Sequence, residues 1–206
     1  MYTSERSQPM INTDLCKIMK AEGADKCSDW HNYTQYYHSI FTGIRDNPIH
    51  ILELGLGSNN IQVPSNMGPN YKSGSSLRGW RNYFPNAQVY GCDIDRATLF
   101  ESERIKTYYC DQRDRNVISK MYQDIGINLD IIIDDGLHDF GATKLFFEES
   151  FNILRSDGQY IIEDVICHHI PHWAAYLSSK GVNYEIVQIH NLKNKIDNNI
   201  IRIIKS

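Results

Sequence analysis

The sequence predicts a three-layer α/β fold, with a mostly parallel sheet and an antiparallel hairpin at its C-terminal edge. Two short isoleucine-rich runs, residues 131–133 and 160–162, are typical of parallel strands that are buried on both faces. Strand and helix patterns alternate along most of the chain, as in βαβ units. The last two apolar segments, residues 183–189 and 200–204, flank a polar loop and predict the hairpin.

The remaining elements follow from the apolar spacing and the turn residues between the segments. Further strands are predicted at residues 49–54, 88–92 and 106–110, which makes seven strands in total. Residues 55–76 are rich in Gly, Ser and Asn and predict a loop. Apolar residues at helical spacing predict helices that cover about residues 77–84, 116–125, 142–154 and 171–179.

Length and composition limit the domain organisation and the class of partner. The 206 residues are enough for one core, and we expect a helical cap or lid at residues 1–47 before a catalytic domain at 48–206. The net charge of −4 comes with no basic stripe, which argues against a nucleic-acid partner. The N-terminus is polar, and no apolar stretch reaches the ~20 residues of a membrane span. The five cysteines have no CxxC spacing. We therefore expect a cytoplasmic protein.

Each isoleucine run ends in a pair of acids, and this is the most informative feature of the chain. Asp134 and Asp135 follow the first run, and Glu163 and Asp164 follow the second. In an open α/β sheet, ligands bind outside the carboxyl ends of the strands. Neighbouring strands would therefore crowd carboxylates together, which raises their pKa values unless a cation offsets the charge. A divalent metal with oxygen ligands is the simplest such cation.

Three further strand ends have features of a nucleoside site. Gly55 and Gly57 follow the first strand, where glycines let backbone amides approach a ligand, although an ordinary tight turn explains them as well. Asp93 ends the next strand, and an acid there can accept both hydroxyls of a ribose. Asp111 and Gln112 end the third strand, where an adenine ring would lie. The dinucleotide and P-loop glycine motifs are both missing from the sequence.

Taken together, these motifs resemble class I S-adenosylmethionine-dependent methyltransferases. More narrowly, they resemble the metal-dependent sugar O-methyltransferases of the macrolide, cephamycin and surface-glycan type. The resemblance covers about residues 23–165 and includes residues 74–80. Its most specific part is the Asp-Asp-Gly-x-His element at residues 134–138, paired with Glu163 and Asp164.

The resemblance implies a Rossmann-like methyltransferase fold and a set of site residues. Asp135, Glu163 and Asp164 match the family's magnesium ligands, and the catalytic pair would be His138, as the base, with Asp135. The expected partner is a sugar, sugar-nucleotide or glycan acceptor, and the protein is expected to be a homo-oligomer. The residues expected to bind S-adenosylmethionine are Lys26, His31, Tyr33, Glu53, Gly55, Gly57, Ser75, Asp93, Asp111, Gln112 and Asp134.

The chemistry of methyl transfer gives these residues definite tasks. A sulfonium methyl is already activated, so the protein must align an acceptor oxygen and prepare it as a nucleophile. A divalent ion acidifies a coordinated hydroxyl, and His138, with an unperturbed pKa of about 6.5, would be mostly neutral and able to accept the proton.

Several alternatives stay open at this point. The first is a metal-independent methyltransferase that acts on another acceptor, such as a phosphoramidate capsule decoration, and the second is a non-catalytic nucleotide-binding protein. His168, His169 and His172 form a possible rival metal cluster, since the first and last are four residues apart, as in helical zinc sites. These histidines could equally line the acceptor site or lie on the surface.

Overall fold

The computed structural model describes residues 12–27, 31–191 and 193–206, together with the backbone of Thr3–Arg6. In this part of the chain, a single sheet of nine strands lies between helices on both faces, which confirms the predicted three-layer fold. The strands are β1 (Thr3–Arg6), β2 (His50–Leu54), β3 (Gln88–Asp93), β4 (Glu101–Ser102), β5 (Ile105–Tyr109), β6 (Leu129–Asp134), β7 (Leu154–Ile162), β8 (Asn183–Ile189) and β9 (Asn199–Ile204). The helices are α1 (Asp14–Glu22), α2 (Tyr33–Phe41), α3 (Ser75–Tyr83), α4 (Arg115–Ile125), α5 (Phe140–Ser150) and α6 (Ile170–Lys180).

The strand order is β1-β8-β9-β7-β6-β2-β3-β5-β4. Strands β5, β3, β2, β6 and β7 are parallel, and β9 runs antiparallel to both β7 and β8. From β2 the chain first adds strands on one side and then returns to add β6 and β7 on the other. The ligand site of such a sheet is expected at this reversal, between β2 and β6.

Two short strands at the edges of the sheet differ from the prediction of seven strands. The first, β1, pairs in parallel with β8, with Thr3 opposite Ile186, so the C-terminal hairpin is not the edge of the sheet. This strand lies within residues 1–47, which were expected to be helical. The outer side of β8 offers unpaired backbone groups, and an extended segment can satisfy them. The second addition, β4, is a two-residue antiparallel partner of β5.

The core consists of two layers, one on each face of the sheet. Along β6, Ile131 and Ile133 pack with α1, α2 and α3, while Ile132 packs with α4, α5 and α6. Because both faces are covered, every residue in the run is buried, and each isoleucine contributes about 1.5–3 kcal/mol. This burial explains the unbroken apolar runs in the sequence. None of the helices in the described ranges is long and apolar enough to cross a membrane.

Candidate active site

The carboxyl ends of the central strands surround an open cavity of about 880 Å³. Part of this volume is open to solvent. Many of the residues that the sequence singled out line the cavity and come from five different strand ends. They are Gly55 and Gly57 after β2, Asp93 on β3, Asp111 and Gln112 after β5, Asp135 and His138 after β6, and Asp164 after β7.

The two glycines after β2 are required by close approaches to other parts of the chain. At Gly55, where φ is +92°, a Cβ would lie 1.9 Å from the carbonyl oxygen of Asp135. At Gly57, where φ is +76°, a Cβ would lie 2.2 Å from the ring of Tyr71. Both positions combine a positive φ with a steric limit that only glycine meets. Gly55 therefore lets the β2 end contact the β6 end, and Gly57 makes room for the loop above the cavity.

Asp93 shapes the glycine loop as well as facing the cavity. Its Oδ2 accepts a hydrogen bond from the Leu56 amide at 2.7 Å, and its Oδ1 accepts one from the Asp95 amide at 2.8 Å. Burial raises the pKa of this carboxyl, although the backbone hydrogen bonds act in the opposite direction. A carboxylate has about four lone-pair sites, so Asp93 retains acceptor capacity for the hydroxyls of a ribose.

Gln112 has a buried hydrogen-bond donor without a partner among the described residues. Its Oε1 accepts from the Leu137 amide at 2.7 Å, which fixes the orientation of the side-chain amide. Its Nε2 is buried and unpaired. A buried donor without an acceptor costs about 1–3 kcal/mol, and a ring nitrogen of adenine would supply the acceptor. The cavity therefore fits the nucleoside part of S-adenosylmethionine.

Below the cavity, a buried lysine connects three of the predicted acids. The Nζ of Lys26 lies 2.6 Å from Oδ2 of Asp135, 3.2 Å from Oε1 of Glu53, and in contact with Oε2 of Glu163. Burial acts to lower the pKa of Lys26, but the charges of Asp135 and Glu163 outweigh it and raise this pKa well above its usual value. The ammonium group therefore stays charged inside a cage of carboxylates.

The remaining oxygens of the two glutamates in this cage are also occupied. Tyr37 donates its hydroxyl to Oε1 of Glu163, and the indole Nε1 of Trp80 donates to Oε2 of Glu53 at 2.5 Å. Both carboxylates are almost completely buried, with 2% exposure for Glu163 and 1% for Glu53. Buried charges require this kind of pairing to be tolerated.

The acids that face the cavity converge on His138. Its Nε2 lies 3.4 Å from Oδ1 of Asp135, and its Nδ1 lies 3.4 Å from Oδ2 of Asp164. One ligand atom from each of the three residues lies within 4.8 Å of the other two, a spacing that suits a metal ion. Two carboxylates match the oxygen preference of Mg²⁺, Mn²⁺ and Ca²⁺. The residues present therefore fit a divalent ion held by Asp135 and Asp164.

The backbone is unusual at both ends of this cluster. His138 has φ of +59° and Asp164 has φ of +51°, which is the left-handed region that non-glycine residues rarely adopt. Such conformations cost about 1–3 kcal/mol each and occur often at functional sites. Immediately after His138, Asp139 caps helix α5 by accepting a hydrogen bond from the Ala142 amide at 3.0 Å. The cap and the turn together fix the direction of the imidazole.

The charges around the imidazole alter its protonation. Burial acts to lower the pKa of His138, but the hydrogen bond to Asp135 and the charge of Asp164 outweigh it and raise the pKa to about 9. Burial also raises the pKa of Asp164, to about 6. The sequence-based expectation that His138 is mostly neutral at pH 7 is therefore wrong for this arrangement. Positive charge added beside the two carboxylates would reduce their pull on the imidazole proton.

Other predicted residues lie behind the cavity wall. His31 and Tyr33 support Asp164: the His31 Nδ1 is 3.4 Å from Oδ1 of Asp164, and Tyr33 donates its hydroxyl to that oxygen at 2.5 Å. Asp134 is buried and accepts a hydrogen bond from Tyr160 at 2.7 Å. The described residues that line the cavity do not include His31, Tyr33 or Asp134. Four other predicted residues are also absent from this lining: Lys26, Glu53, Ser75 and Glu163.

Some cavity residues were missed by the sequence analysis. Ser75 donates to the carbonyl of Lys72 at 2.6 Å, whereas the next residue, Ser76, lines the cavity. The long loop after Gly57 adds Val63, Pro64, Met67 and Tyr71 to the wall. Its composition indicated only a loop, and no local pattern predicts that a loop of this kind folds back over a site.

Two of the three histidines of the possible rival cluster, His169 and His172, lie beside Phe140. The His169 and His172 rings are each 6.0 Å from the Phe140 ring, and the His168 and His169 ring centres are 4.4 Å apart. Among the described residues, the group with metal-binding spacing is Asp135, His138 and Asp164, and it includes none of these histidines. The rival metal cluster therefore has no geometric support.

Comparison with known proteins agrees with the fold. The chain is 32% identical over 82% of its length to an 8-demethyl-8-(2-methoxy-alpha-L-rhamnosyl)-tetracenomycin-C 3'-O-methyltransferase from Streptomyces olivaceus, and covers 39% of that protein. It is 31% identical over 82% of its length to a mycinamicin VI 2''-O-methyltransferase from Micromonospora griseorubida, and covers 38% of it. A search of protein-family models gives no match.

A solved structure supports the same relationship. The MycE methyltransferase of the mycinamycin biosynthetic pathway, in complex with Mg, SAH and mycinamycin VI, superimposes with a TM-score of 0.64 at 30% identity. The match covers 82% of this chain and 42% of that one. The chain has the class I methyltransferase fold and is a homologue of the sugar O-methyltransferases of macrolide and tetracenomycin pathways. It spans about two fifths of the length of these relatives.

Proposed function

We propose that this chain transfers the methyl group of S-adenosylmethionine to a sugar hydroxyl, with a divalent ion such as Mg²⁺ assisting. The arrangement of His138 between Asp135 and Asp164, at the rim of a cavity that also contains Asp93 and Gln112, carries the proposal. The tetracenomycin and mycinamicin relatives are named for methylation of glycosylated small molecules, which supports an acceptor of that class.

Each part of the cavity has a definite task in this reaction. Asp93 would accept the ribose hydroxyls, and the Nε2 of Gln112 would donate to the adenine ring. Fixing the methyl and the acceptor oxygen in line contributes several of the ~7–11 kcal/mol that proximity can supply. Val63, Pro64, Met67 and Tyr71 form one wall of the cavity beside these groups.

His138 is the residue that takes the proton from the acceptor hydroxyl. Asp135 and Asp164 would hold the divalent ion, which when bound supplies positive charge that favours loss of that proton. The same charge would offset the two carboxylates that hold the pKa of His138 at about 9, so the imidazolium would release its proton to solvent and the neutral imidazole would then accept the proton of the acceptor hydroxyl. The histidine thus changes from a charged structural partner to a base when the site is filled.

A mass-shift assay tests the proposal. The chain is incubated with methyl-labelled S-adenosylmethionine, Mg²⁺ and a panel of nucleotide-linked sugars, glycan fragments and glycosylated macrolides. We expect one methyl group to be added to a sugar hydroxyl, with loss of the product when a chelator removes the ion. Transfer that persists in the chelator would favour the metal-independent alternative. Lack of cofactor binding by calorimetry would favour a non-catalytic role.

Two further properties belong to this proposal. We place the protein in the cytoplasm, and the thiols of Cys92, Cys110 and Cys167, which form no disulfide, support a reducing compartment. We also expect a homo-oligomer, as the resemblance implies, and sedimentation of the purified chain tests that expectation.

A further inference from the structure

One acid in the cavity wall is not engaged by the rest of the described chain. The aspartates that line the cavity are Asp25, Asp93, Asp111, Asp135 and Asp164. Asp93 accepts two backbone amides, and Asp111 is paired with Arg113. Asp135 and Asp164 face His138. The carboxylate of Asp25, by contrast, makes no hydrogen bond or ion pair with the residues that the structure describes.

The backbone holds Asp25 in place between helices α1 and α2. The carbonyl of Asp25 accepts a hydrogen bond from the His31 amide at 3.3 Å, and the carbonyl of Lys26 accepts one from the Thr34 amide at 3.2 Å. The two neighbouring side chains face different ways, because Lys26 is buried beneath the cavity whereas Asp25 lines it. Asp25 is therefore fixed at the wall without the use of its carboxylate.

Asp25 lies at the end of the cavity that is covered by Tyr71. Burial and then the charge of Asp25 raise the pKa of the Tyr71 hydroxyl, which places the two side chains near each other. Tyr71 also packs against Gly57, in the glycine loop after β2. Gln112 lies elsewhere, against the β6 end. A nucleoside held by Asp93 and Gln112 would therefore extend its 5′ substituent toward Asp25.

We propose that the carboxylate of Asp25 binds the α-ammonium group of S-adenosylmethionine, and that this contact selects nucleosides that carry the amino-acid group. This inference rests on the cofactor use proposed above. A hydrogen bond between an ammonium group and a carboxylate is about twice as strong as one between neutral groups. Because the carboxylate of Asp25 has no donor among the described residues, it can accept the ammonium group without first breaking a contact to one of them.

Calorimetry with two ligands tests this contact. S-adenosylhomocysteine carries the ammonium group, and its desamino analogue differs only by the loss of that group. The wild type should bind the analogue at least about tenfold more weakly than S-adenosylhomocysteine. Asp25→Asn should bind S-adenosylhomocysteine at least about tenfold more weakly than the wild type does, and should distinguish the two ligands by less than about threefold.

Two further variants show that the effect belongs to one end of the ligand. Asp93→Asn should weaken the binding of both ligands by the same factor, since both contain the ribose. Asp124→Asn, which removes an exposed acid paired with Lys120 on α4, is the matched control and should leave both affinities unchanged. Circular dichroism checks that each variant is folded, and Asp25→Ser replaces Asp25→Asn if the latter does not fold.

The outcomes separate this inference from the proposed function. Equal binding of both ligands by the wild type would overturn the role of Asp25, and so would an Asp25 variant that still distinguishes the ligands by tenfold or more. Methyl transfer by the wild type is measured separately. Transfer together with undiminished discrimination in the Asp25 variants would refute only this inference. Failure of the wild type to bind S-adenosylhomocysteine would refute both.

Discussion

The Nδ1 of His138 lies 3.4 Å from Oδ2 of Asp164, and both residues have left-handed backbone conformations. They follow adjacent parallel strands, β6 and β7, so the pairing of those strands brings them together. The strands end before these two strained turns, so the strain does not serve the sheet itself. We propose that this relationship defines the reacting corner of the cavity.

The first prediction concerns the base. His138→Gln keeps a polar side chain of similar length but cannot accept the proton, so the rate of methyl transfer should fall by about 10²–10⁴-fold. The affinity for S-adenosylhomocysteine should change by less than about threefold, because the nucleoside contacts lie elsewhere. Rates with labelled cofactor and calorimetry measure the two effects. His50→Gln, at the opposite end of β2, is the control and should retain full activity. A His138→Gln enzyme with more than half of the wild-type rate would contradict the assignment.

The second prediction concerns the ribose. Asp93→Asn keeps an acceptor for the Leu56 amide but loses the negative charge, so the affinity for S-adenosylhomocysteine should fall by about 1.5–3 kcal/mol. This corresponds to about 10–150-fold in Kd. Calorimetry measures it, and circular dichroism checks that the fold is intact. An unchanged Kd would place the ribose away from β3.

The third prediction concerns the unpaired amide of Gln112. Gln112→Glu retains an oxygen to accept from the Leu137 amide and removes the Nε2 donor. Because the adenine contact needs that donor, we expect the affinity for S-adenosylhomocysteine to fall by at least about tenfold. The Asp93→Asn variant serves as a comparison for the size of the loss. Equal affinity in Gln112→Glu and the wild type would mean that adenine does not use this group.

The fourth prediction concerns the pH dependence of stability. Burial raises the pKa of Asp134 to about 7, above its value of 3.8 in the unfolded chain. The folded state therefore binds the extra proton between these values, and this group's contribution to stability falls as the pH rises from about 4 to 7. Asp134→Asn removes the titration. When the pH rises from 5 to 8, the free energy of unfolding of the wild type should fall by about 2–3 kcal/mol more than that of Asp134→Asn.

Urea unfolding of both proteins across that pH range measures the difference. Comparing the two proteins largely cancels the contributions of other titrating groups, provided that their pKa values are the same in both. A constant difference between Asp134→Asn and the wild type at every pH would show that Asp134 does not titrate in this range.

The sequence predicted the fold well because the sheet is buried on both faces. Residues 131–133 pack alternately on the two helical layers, so the isoleucine run itself carries the strand signal. The edge strands had no such signal: β4 has only two residues, and β1 pairs through its backbone with the open side of β8. Their formation depends on a neighbouring strand that is distant in sequence.

The site was predictable only where residues follow strand ends. Asp93, Asp135 and Asp164 lie where the parallel strands stop, and the topology brings these ends to one edge. The partners of the acids were not predictable. Lys26 pairs with Glu163, and Tyr71 packs against Gly57. Both contacts join residues that are far apart or separated by a long loop in the sequence. Local sequence patterns do not predict such contacts. The protonation of His138 was not predictable for the same reason, because it depends on contacts with Asp135 and Asp164.

Crystals of the chain with S-adenosylhomocysteine and Mn²⁺ offer the most direct test, through the anomalous scattering of the manganese. We expect one strong peak at about 2.0–2.6 Å from oxygens of Asp135 and Asp164, beside His138 and the sulfur of the cofactor. A peak among His168, His169 and His172, or no peak in the cavity when the cofactor is bound, would contradict it.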